Sequence, residues 1–379
     1  MTNKVLGLFA GIGGLELGLA DAGYESCMLC EIEPGAREVL KTHFPEVDLI
    51  EDVRNIASIP QGVKIITAGF PCQDLSSSGK KVGIKGERSF LVDEVFRLLE
   101  QENDLDWVIL ENVKFMLHLN KGSAISYITS RFNQLGYNWA YRVINSESFG
   151  LPQRRHRVYF VASKKYDPRH VLLADDHTKN TNPFSENDIV PRGFYWTEGR
   201  YSTGLNYNGI PPIKAGSTIG IPSPPAILLP TGEVGTPSIK DAERMQGFPE
   251  NWTLPSEKVV KASHRWKLIG NSVSVPISKW IGERLKAPGH YDGSHDPILK
   301  PNTRWPQAAW GMDGVVRGSN ASEWPLNIPY QGIDEFLKYP LKPLSLKATK
   351  GYVSRAEQGN LKHPNGFLDQ LKQYIEGLN

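Results

Sequence analysis

The sequence predicts an α/β fold, a parallel sheet wrapped by helices, with a smaller and irregular second domain. Three observations point there. Up to about residue 163 short apolar runs alternate with amphipathic stretches, the texture of strands and covering helices. The first run ends in a glycine-rich turn that opens a helix. Residues 164 to 235 then turn rich in Pro, Gly, Asn and Thr, with only short strand-like pieces. The predicted strands are Val5 to Phe9, Ser26 to Cys30, Lys64 to Ala68, Trp107 to Leu110, Trp139 to Asn145 and Arg157 to Ser163. Between them, Leu15, Leu19 and Ala22 recur at helical spacing, and Phe96, Leu98 and Leu99 anchor a later helix. Ala226 to Leu229 reads as a short strand of the second domain. Helical character returns at Ile239 to Met245 and at Val275 to Leu285, where Trp280, Ile281 and Leu285 can pack back on the first domain. The expected organisation is a large domain over 1–185 completed by 268–288, a second domain over 186–267, and an extension over 289–379. That extension carries Trp305, Trp310 and Trp324, more in keeping with core than with an exposed surface. It ends in a helix, Phe367 to Leu378, with one apolar face.

The 379 residues, 40% hydrophobic and 10% aromatic, are enough for one large core and a smaller companion. Lys plus Arg number 43 against 41 Asp plus Glu, a net charge of +2, so any surface for a polyanion must be local. No apolar run is long enough to span a membrane, and Met1 to Lys4 lead into the first strand without a signal-peptide layout. A soluble, cytoplasmic protein is expected.

Three cysteines cannot build a disulfide framework. Cys27 and Cys30 have redox or half-zinc spacing, but no second pair exists and their segment is apolar, so they read as buried strand residues and no metal is expected. Cys72 differs. It lies at the end of an apolar run, in Gly69-Phe-Pro71-Cys72-Gln73, where a thiol is accessible as a nucleophile.

Phe9-Ala-Gly11-Ile-Gly13-Gly14 joins the first strand to a helix, a turn whose backbone N–H groups can approach a nucleotide-type ligand. The dinucleotide fingerprint is incomplete, because its third glycine falls on Glu16, and a tight structural turn is the alternative. Glu31 ends the second strand 20 residues after Gly11, where a carboxylate can accept ribose hydroxyls, and Asp52 follows the third apolar patch, where it can accept an adenine amino hydrogen. Together they favour adenosine. Two further constellations fall at strand ends. Glu111-Asn112-Val113 follows Trp107 to Leu110, with Glu111 either a helix cap or a proton donor of raised pKa. Gln153-Arg-Arg155-His-Arg157 places Arg155 and Arg157 on one side of an extended segment, with His156 pointing the other way. A basic strand edge on the surface is the alternative.

In this order, Phe-Ala-Gly-Ile-Gly-Gly, Gly-Phe-Pro-Cys-Gln, Glu-Asn-Val, Gln-Arg-Arg-His-Arg and Gly270-Asn-Ser-Val273 resemble the motifs of the DNA (cytosine-5)-methyltransferase family. The resemblance runs over roughly residues 4 to 286. It implies a Rossmann-like sheet that binds S-adenosylmethionine, no metal, and a cytosine flipped out of double-stranded DNA. Carried over residue by residue, Cys72 matches the nucleophile that attacks carbon 6. Glu111 matches the carboxyl that engages ring nitrogen 3, and Arg155 and Arg157 match the arginines that orient the base and that carboxyl. Phe9, Gly11, Gly13, Gly14, Glu31, Ile32, Asp52, Val53, Pro71, Leu91, Asn271 and Val273 are implied to hold the cofactor. Gln73, Ser76, Ser78 and Gln153 are implied DNA contacts, joined by Lys80 and Lys81 of the flexible cationic loop Ser76 to Arg88. Target recognition belongs between Arg157 and Met245. Its Thr-aliphatic pair appears as Thr218-Ile219, while Pro212-Ile213 lies closer to the expected spacing. Ser238 to Arg244 resembles the ninth motif, with Gly235 in place of the usual preceding arginine.

The resemblance implies a prokaryotic or phage modification enzyme acting as a monomer on DNA, with a cognate restriction endonuclease as a candidate partner. Two rivals share its chemistry or its ligand. An RNA-directed relative would carry an additional Cys-Phe-Thr signature that this sequence lacks, and a non-catalytic DNA-binding regulator would not need Cys72, Glu111 and Arg155 together.

Overall fold

The computed structural model describes residues 3–71, 91–101, 104–177, 184, 188–216, 224–300, 303–329 and 332–378. Among these, fourteen strands form two sheets. The central sheet holds β1 (Lys4–Leu8), β2 (Glu25–Cys30), β3 (Asp48–Ile50), β4 (Val63–Ala68), β5 (Trp107–Val113), β6 (Asn138–Asn145) and β7 (His156–Ser163). The second holds β8 (Arg192–Phe194), β9 (Asn206–Tyr207), β10 (Ala226–Leu228) and β11 (Val234–Thr236). The chain then returns to the central sheet with β12 (Ala308–Met312) and β13 (Val315–Ser319), and to the second with β14 (Lys342–Pro343).

The central order is β13-β12-β6-β7-β5-β4-β1-β2-β3. From β5 to β3 neighbouring strands run parallel. The wholly parallel expectation fails beyond that point: β7 lies antiparallel to both β5 and β6, and β12 and β13 continue antiparallel. The reason is connection length. Residues 146–155 alone separate β6 from β7, too few for the crossover of a dozen or more residues that a parallel neighbour requires.

Strands buried on both faces read as continuous apolar runs, as Val5-Leu6-Gly7-Leu8 and Val108-Ile-Leu110 do. On one face Leu6, Leu8, Ile66 and Val108 pack against Val92 to Leu99 and Ala124 to Phe132. On the other, Val5, Ile65 and Ile109 meet Leu15 and Leu19 of α1 (Gly14–Asp21) and Ile277, Trp280 and Ile281 of the helix Val275–Lys286. That late helix thus completes the first layer system, 261 residues after α1 begins.

Residues beyond 288 are divided between the sheets. β12 pairs with β6, and Trp310 and Trp324 are buried. β14 pairs with β11, and the helices Leu346–Glu357 and Phe367–Gly377 bury Tyr352 and Phe367 against Phe194 of β8. Among the described residues no helix is long and apolar enough to cross a membrane.

Candidate active site

β1 ends at Leu8 and the chain turns at once. Phe9, Gly11 and Gly13 have φ of 53°, 56° and 81°. For phenylalanine this left-handed conformation stores about 1–3 kcal/mol of strain, the kind that a functional loop retains. A Cβ on Gly13 would lie 2.6 Å from the Phe44 ring, whereas one on Gly11 would meet nothing within 4 Å, so the open side of the loop is at Gly11. Gly14 begins α1, and its missing side chain leaves room for Val273, 2.8 Å from where a Cβ would stand.

Glu31, just past β2, accepts the Gly11 N–H at 2.7 Å on Oε2 and the Glu33 N–H at 2.8 Å on Oε1. Burial pushes its carboxyl up, opposed by these backbone donors. Each oxygen keeps a second lone pair for a ligand. Ile32 beside it is 60% exposed, an apolar face left uncovered. Val53 is buried, Leu91 is partly buried at the start of its helix, and Pro71 is exposed. Asp52 departs from expectation. It caps the short turn Val53–Asn55 and grips the Arg54 guanidinium at 2.9 and 3.1 Å, which pulls its carboxyl down to about 2. This pair sits in solvent, where such contacts contribute little, so Asp52 can exchange Arg54 for another donor.

The two halves of the site meet at Gly69. A Cβ placed there would stand 3.6 Å from the Phe9 carbonyl and 3.9 Å from Glu111 Oε2. The cofactor-type loop and the buried carboxyl therefore flank one residue, three positions before Cys72. Glu111 lies inside β5, not after it, because pairing with β7 carries the strand through Val113. The residue is 7% exposed, with Arg157 Nε 3.1 Å from Oε1. Burial raises its pKa, while Arg157 and Arg155 hold it down. Asn112 Nδ2 donates to the Phe70 carbonyl at 2.9 Å, tying β5 to the segment that leads into Cys72. Cys72, Gln73, Ser76, Ser78, Lys80 and Lys81, with the rest of the loop to Arg88, lie outside the described residues, as do Thr218 and Ile219.

Arg155 and Gln153 are not where an open strand edge would put them. Arg155 is 1% exposed, and its guanidinium donates to the carbonyls of Ile213 at 3.3 Å, Gly270 at 3.1 Å and Ser272. It is a clamp between segments, close enough to Glu111 to act on its charge but not presented to a base. Desolvation, with the repelling Arg157 second, lowers its pKa to about 9. Gln153 is fully buried: Nε2 donates to the Met245 carbonyl at 3.0 Å and Oε1 accepts the Ile213 N–H at 3.0 Å, so here its amide joins two chain segments. Of the pair Pro212-Ile213, the isoleucine is held by both residues. His156 faces Glu323 at 3.2 Å. Asn271 is exposed and Val273 buried on Gly14.

Sequence reasoning missed the cover of the glycine loop. Trp252 Nε1 donates to the Ile12 carbonyl at 2.8 Å while its ring stacks on His43 at 3.6 Å. Glu243, fully buried, accepts Asn251 N–H at 2.6 Å, Thr253 N–H at 2.8 Å and Arg265 at 2.9 Å, fixing the turn that presents Trp252. A tryptophan in a Pro/Gly-rich stretch was the available signal.

These features agree with what the chain resembles as a whole. A family model described as C-5 cytosine-specific DNA methylase matches residues 3–202 and 237–287. The type II methyltransferase M2.BsuMI of Bacillus subtilis (strain 168) is 44% identical, covering 98% of this chain and 97% of that relative. M.NlaX of Neisseria lactamica is 29% identical over 75% of this chain and 96% of its own length. Among solved structures, the S. pombe Dnmt2 methyltransferase shares the fold with a TM-score of 0.55 at 17% identity, covering 75% of this chain and 98% of that one. The chain belongs to the C-5 cytosine-specific DNA methylase family.

Proposed function

We propose that this chain moves the methyl group of S-adenosylmethionine to carbon 5 of a cytosine turned out of a DNA duplex, through a transient bond from Cys72 to carbon 6. The observation that supports it most is the junction at Gly69, where the glycine loop and the Glu111 carboxyl flank the segment leading to Cys72. The residues present fit the cofactor: Gly11 leaves its side of the loop open, Glu31 retains lone pairs, and Ile32 offers an uncovered apolar face. S-adenosylmethionine supplies an electrophilic methyl group. Asn271 and Val273 close the pocket, and Asp52 turns from Arg54 toward the base.

The chain's own groups do the rest. The Cys72 thiolate adds to carbon 6, the pair of the carbon 5–carbon 6 double bond moves onto carbon 5, and Glu111 delivers its proton at ring nitrogen 3. The raised pKa of Glu111 keeps that proton available, and Arg157 holds the carboxyl in place. Once carbon 5 is methylated, a water removes its proton, the double bond re-forms, Cys72 leaves as thiolate and nitrogen 3 returns its proton to Glu111. The second sheet, with residues 186–267, reads the target sequence. The enzyme acts as a monomer in the cytoplasm beside a restriction endonuclease of the same specificity.

A duplex carrying 5-fluorocytosine tests the covalent step, because fluorine at carbon 5 cannot leave as a proton does. With S-adenosylmethionine, the wild-type chain is expected to form a complex that survives denaturing electrophoresis, and Cys72→Ser none. An adduct with Cys72→Ser, or none with wild type, overturns the proposal.

A further inference from the structure

We propose that residues after 288 give this chain an added grip on the phosphate backbone of its duplex, formed by Arg304 together with His118 and Lys121. The inference rests on the reading above in one respect: the duplex must cross the end of the sheet at which β5, with Glu111, terminates. β5 ends two residues past Glu111, and the short turns Lys114–Leu117 and Leu119–Gly122 follow directly at that end. Within them Asn120, Lys121 and Gly122 are consecutively left-handed, with φ of 48°, 58° and 86°. Two adjacent non-glycine residues in that region are strained, and such strain persists where surrounding structure imposes it.

Here the later segment imposes it. The Trp305 ring occupies the space beside Gly122, 2.8 Å from where a Cβ would stand, and its Nε1 donates to Ser126 Oγ at 3.1 Å. Pro306 and Gln307 are anchored too, their carbonyls accepting from Tyr141 Oη and Val143 N–H, each at 2.8 Å, as β12 aligns with β6. Arg304 is thereby placed with a guanidinium nitrogen 3.4 Å from His118 Nε2. That contact uses one of five N–H donors.

The charges are unbalanced. Arg304, His118 and Lys121 are exposed, and no described carboxylate pairs with Arg304 or Lys121. The acid at this corner, Glu323, faces Lys114 at 3.6 Å and His156 at 3.2 Å. An exposed guanidinium and ammonium on a rigid base, beside the reaction centre of an enzyme that acts on a polyanion, fit backbone phosphates. Arg304 lies beyond residue 287, where the match to the family ends. The Arg304 part of the grip therefore lies outside the segment that the family model matches, while His118 and Lys121 lie within it.

The test is binding of the full chain to a fluorescein-labelled mixed-sequence 30-base-pair duplex, by anisotropy across a series of KCl concentrations. Each lost phosphate contact lowers the slope of log K against log salt by about 0.9, so the Arg304→Ala/Lys121→Ala variant should lose about 1.8 in slope and roughly tenfold or more in affinity at 0.1 M salt. Arg304→Lys alone should keep the slope, and affinity for S-adenosylmethionine and the thermal midpoint should stay at wild-type values. An unchanged slope overturns the proposal, as does a drop in slope matched by equal loss of cofactor affinity, which marks a structural role. An unchanged slope with wild type still methylating DNA sinks this inference alone. Selective loss of affinity for an acidic protein instead of DNA would also reject it.

Discussion

Replacing Arg155 by methionine keeps the length of the side chain and removes the fork that joins Ile213 to the 270–272 segment. Three carbonyls lose a charged donor, at 3.3 Å, 3.1 Å and a shorter contact to Ser272. A buried acceptor left without a partner costs about 1–3 kcal/mol, which sets a gross loss of about 3–9 kcal/mol. Two effects work the other way. The guanidinium is desolvated and sits beside Arg157, which is why its pKa falls to about 9, and removing a buried charge returns part of that penalty. The net expectation is a loss of about 3 kcal/mol, near the low end of the gross figure. With a slope of about 3 kcal/mol per molar urea for a chain of this size, the unfolding midpoint followed by tryptophan fluorescence drops by about 1 M. Arg155→Lys keeps the charge but not the fork, and should fall between. Because Val273 lies on Gly14, S-adenosylmethionine affinity should weaken in parallel. A methionine variant within about 0.5 kcal/mol of wild type would refute the clamp, since surface substitutions already cover that range.

Other consequences are equally open to measurement. Glu16 is buried, accepts Thr67 Oγ1 at 2.7 Å, and has its pKa raised to about 7, mainly by desolvation. The folded state therefore keeps a proton that the unfolded state releases, so Glu16 makes stability fall as pH rises from about 4.5 to about 7, by about 3 kcal/mol. Glu16→Gln should shrink the gap between thermal midpoints at pH 5 and pH 8; an unaltered gap rejects that assignment. Gly270→Ala should cost at least about 1–3 kcal/mol by urea unfolding, because its Cβ would stand 2.4 Å from the Lys214 backbone, which cannot yield as a side chain tip does. Glu111→Gln should lower the rate of methyl transfer about 100-fold or more while leaving duplex affinity near wild type, the pattern of a lost proton donor; equal losses in both would assign it to structure instead.

The sheet strands were legible because burial on both faces leaves unbroken apolar runs, as in Val5 to Leu8 and Val108 to Leu110. The glycine loop was legible because only glycine fits Gly13 beside Phe44. What stayed hidden was whatever depends on distant partners. β12 is a short Ala-Ala-Trp-Gly-Met stretch whose strand character comes from pairing with β6, more than 160 residues earlier. Arg155 read as an orienting arginine and Gln153 as a DNA contact, because nothing local reveals that Ile213, Met245 and Gly270 converge on them. Asp52 has its pairing partner only two residues away, yet a bidentate grip on Arg54 is a choice of rotamer that sequence does not encode.

The proposed chemistry requires Cys72 for methylation of cytosine at carbon 5. Bisulfite sequencing of plasmid DNA from a methylation-deficient host tests it most directly, with the wild-type chain and Cys72→Ser expressed at equal soluble levels. Protected cytosines confined to one short sequence are expected with wild type and none with the variant. Protection that persists with Cys72→Ser, or its absence with soluble wild-type protein, would contradict it.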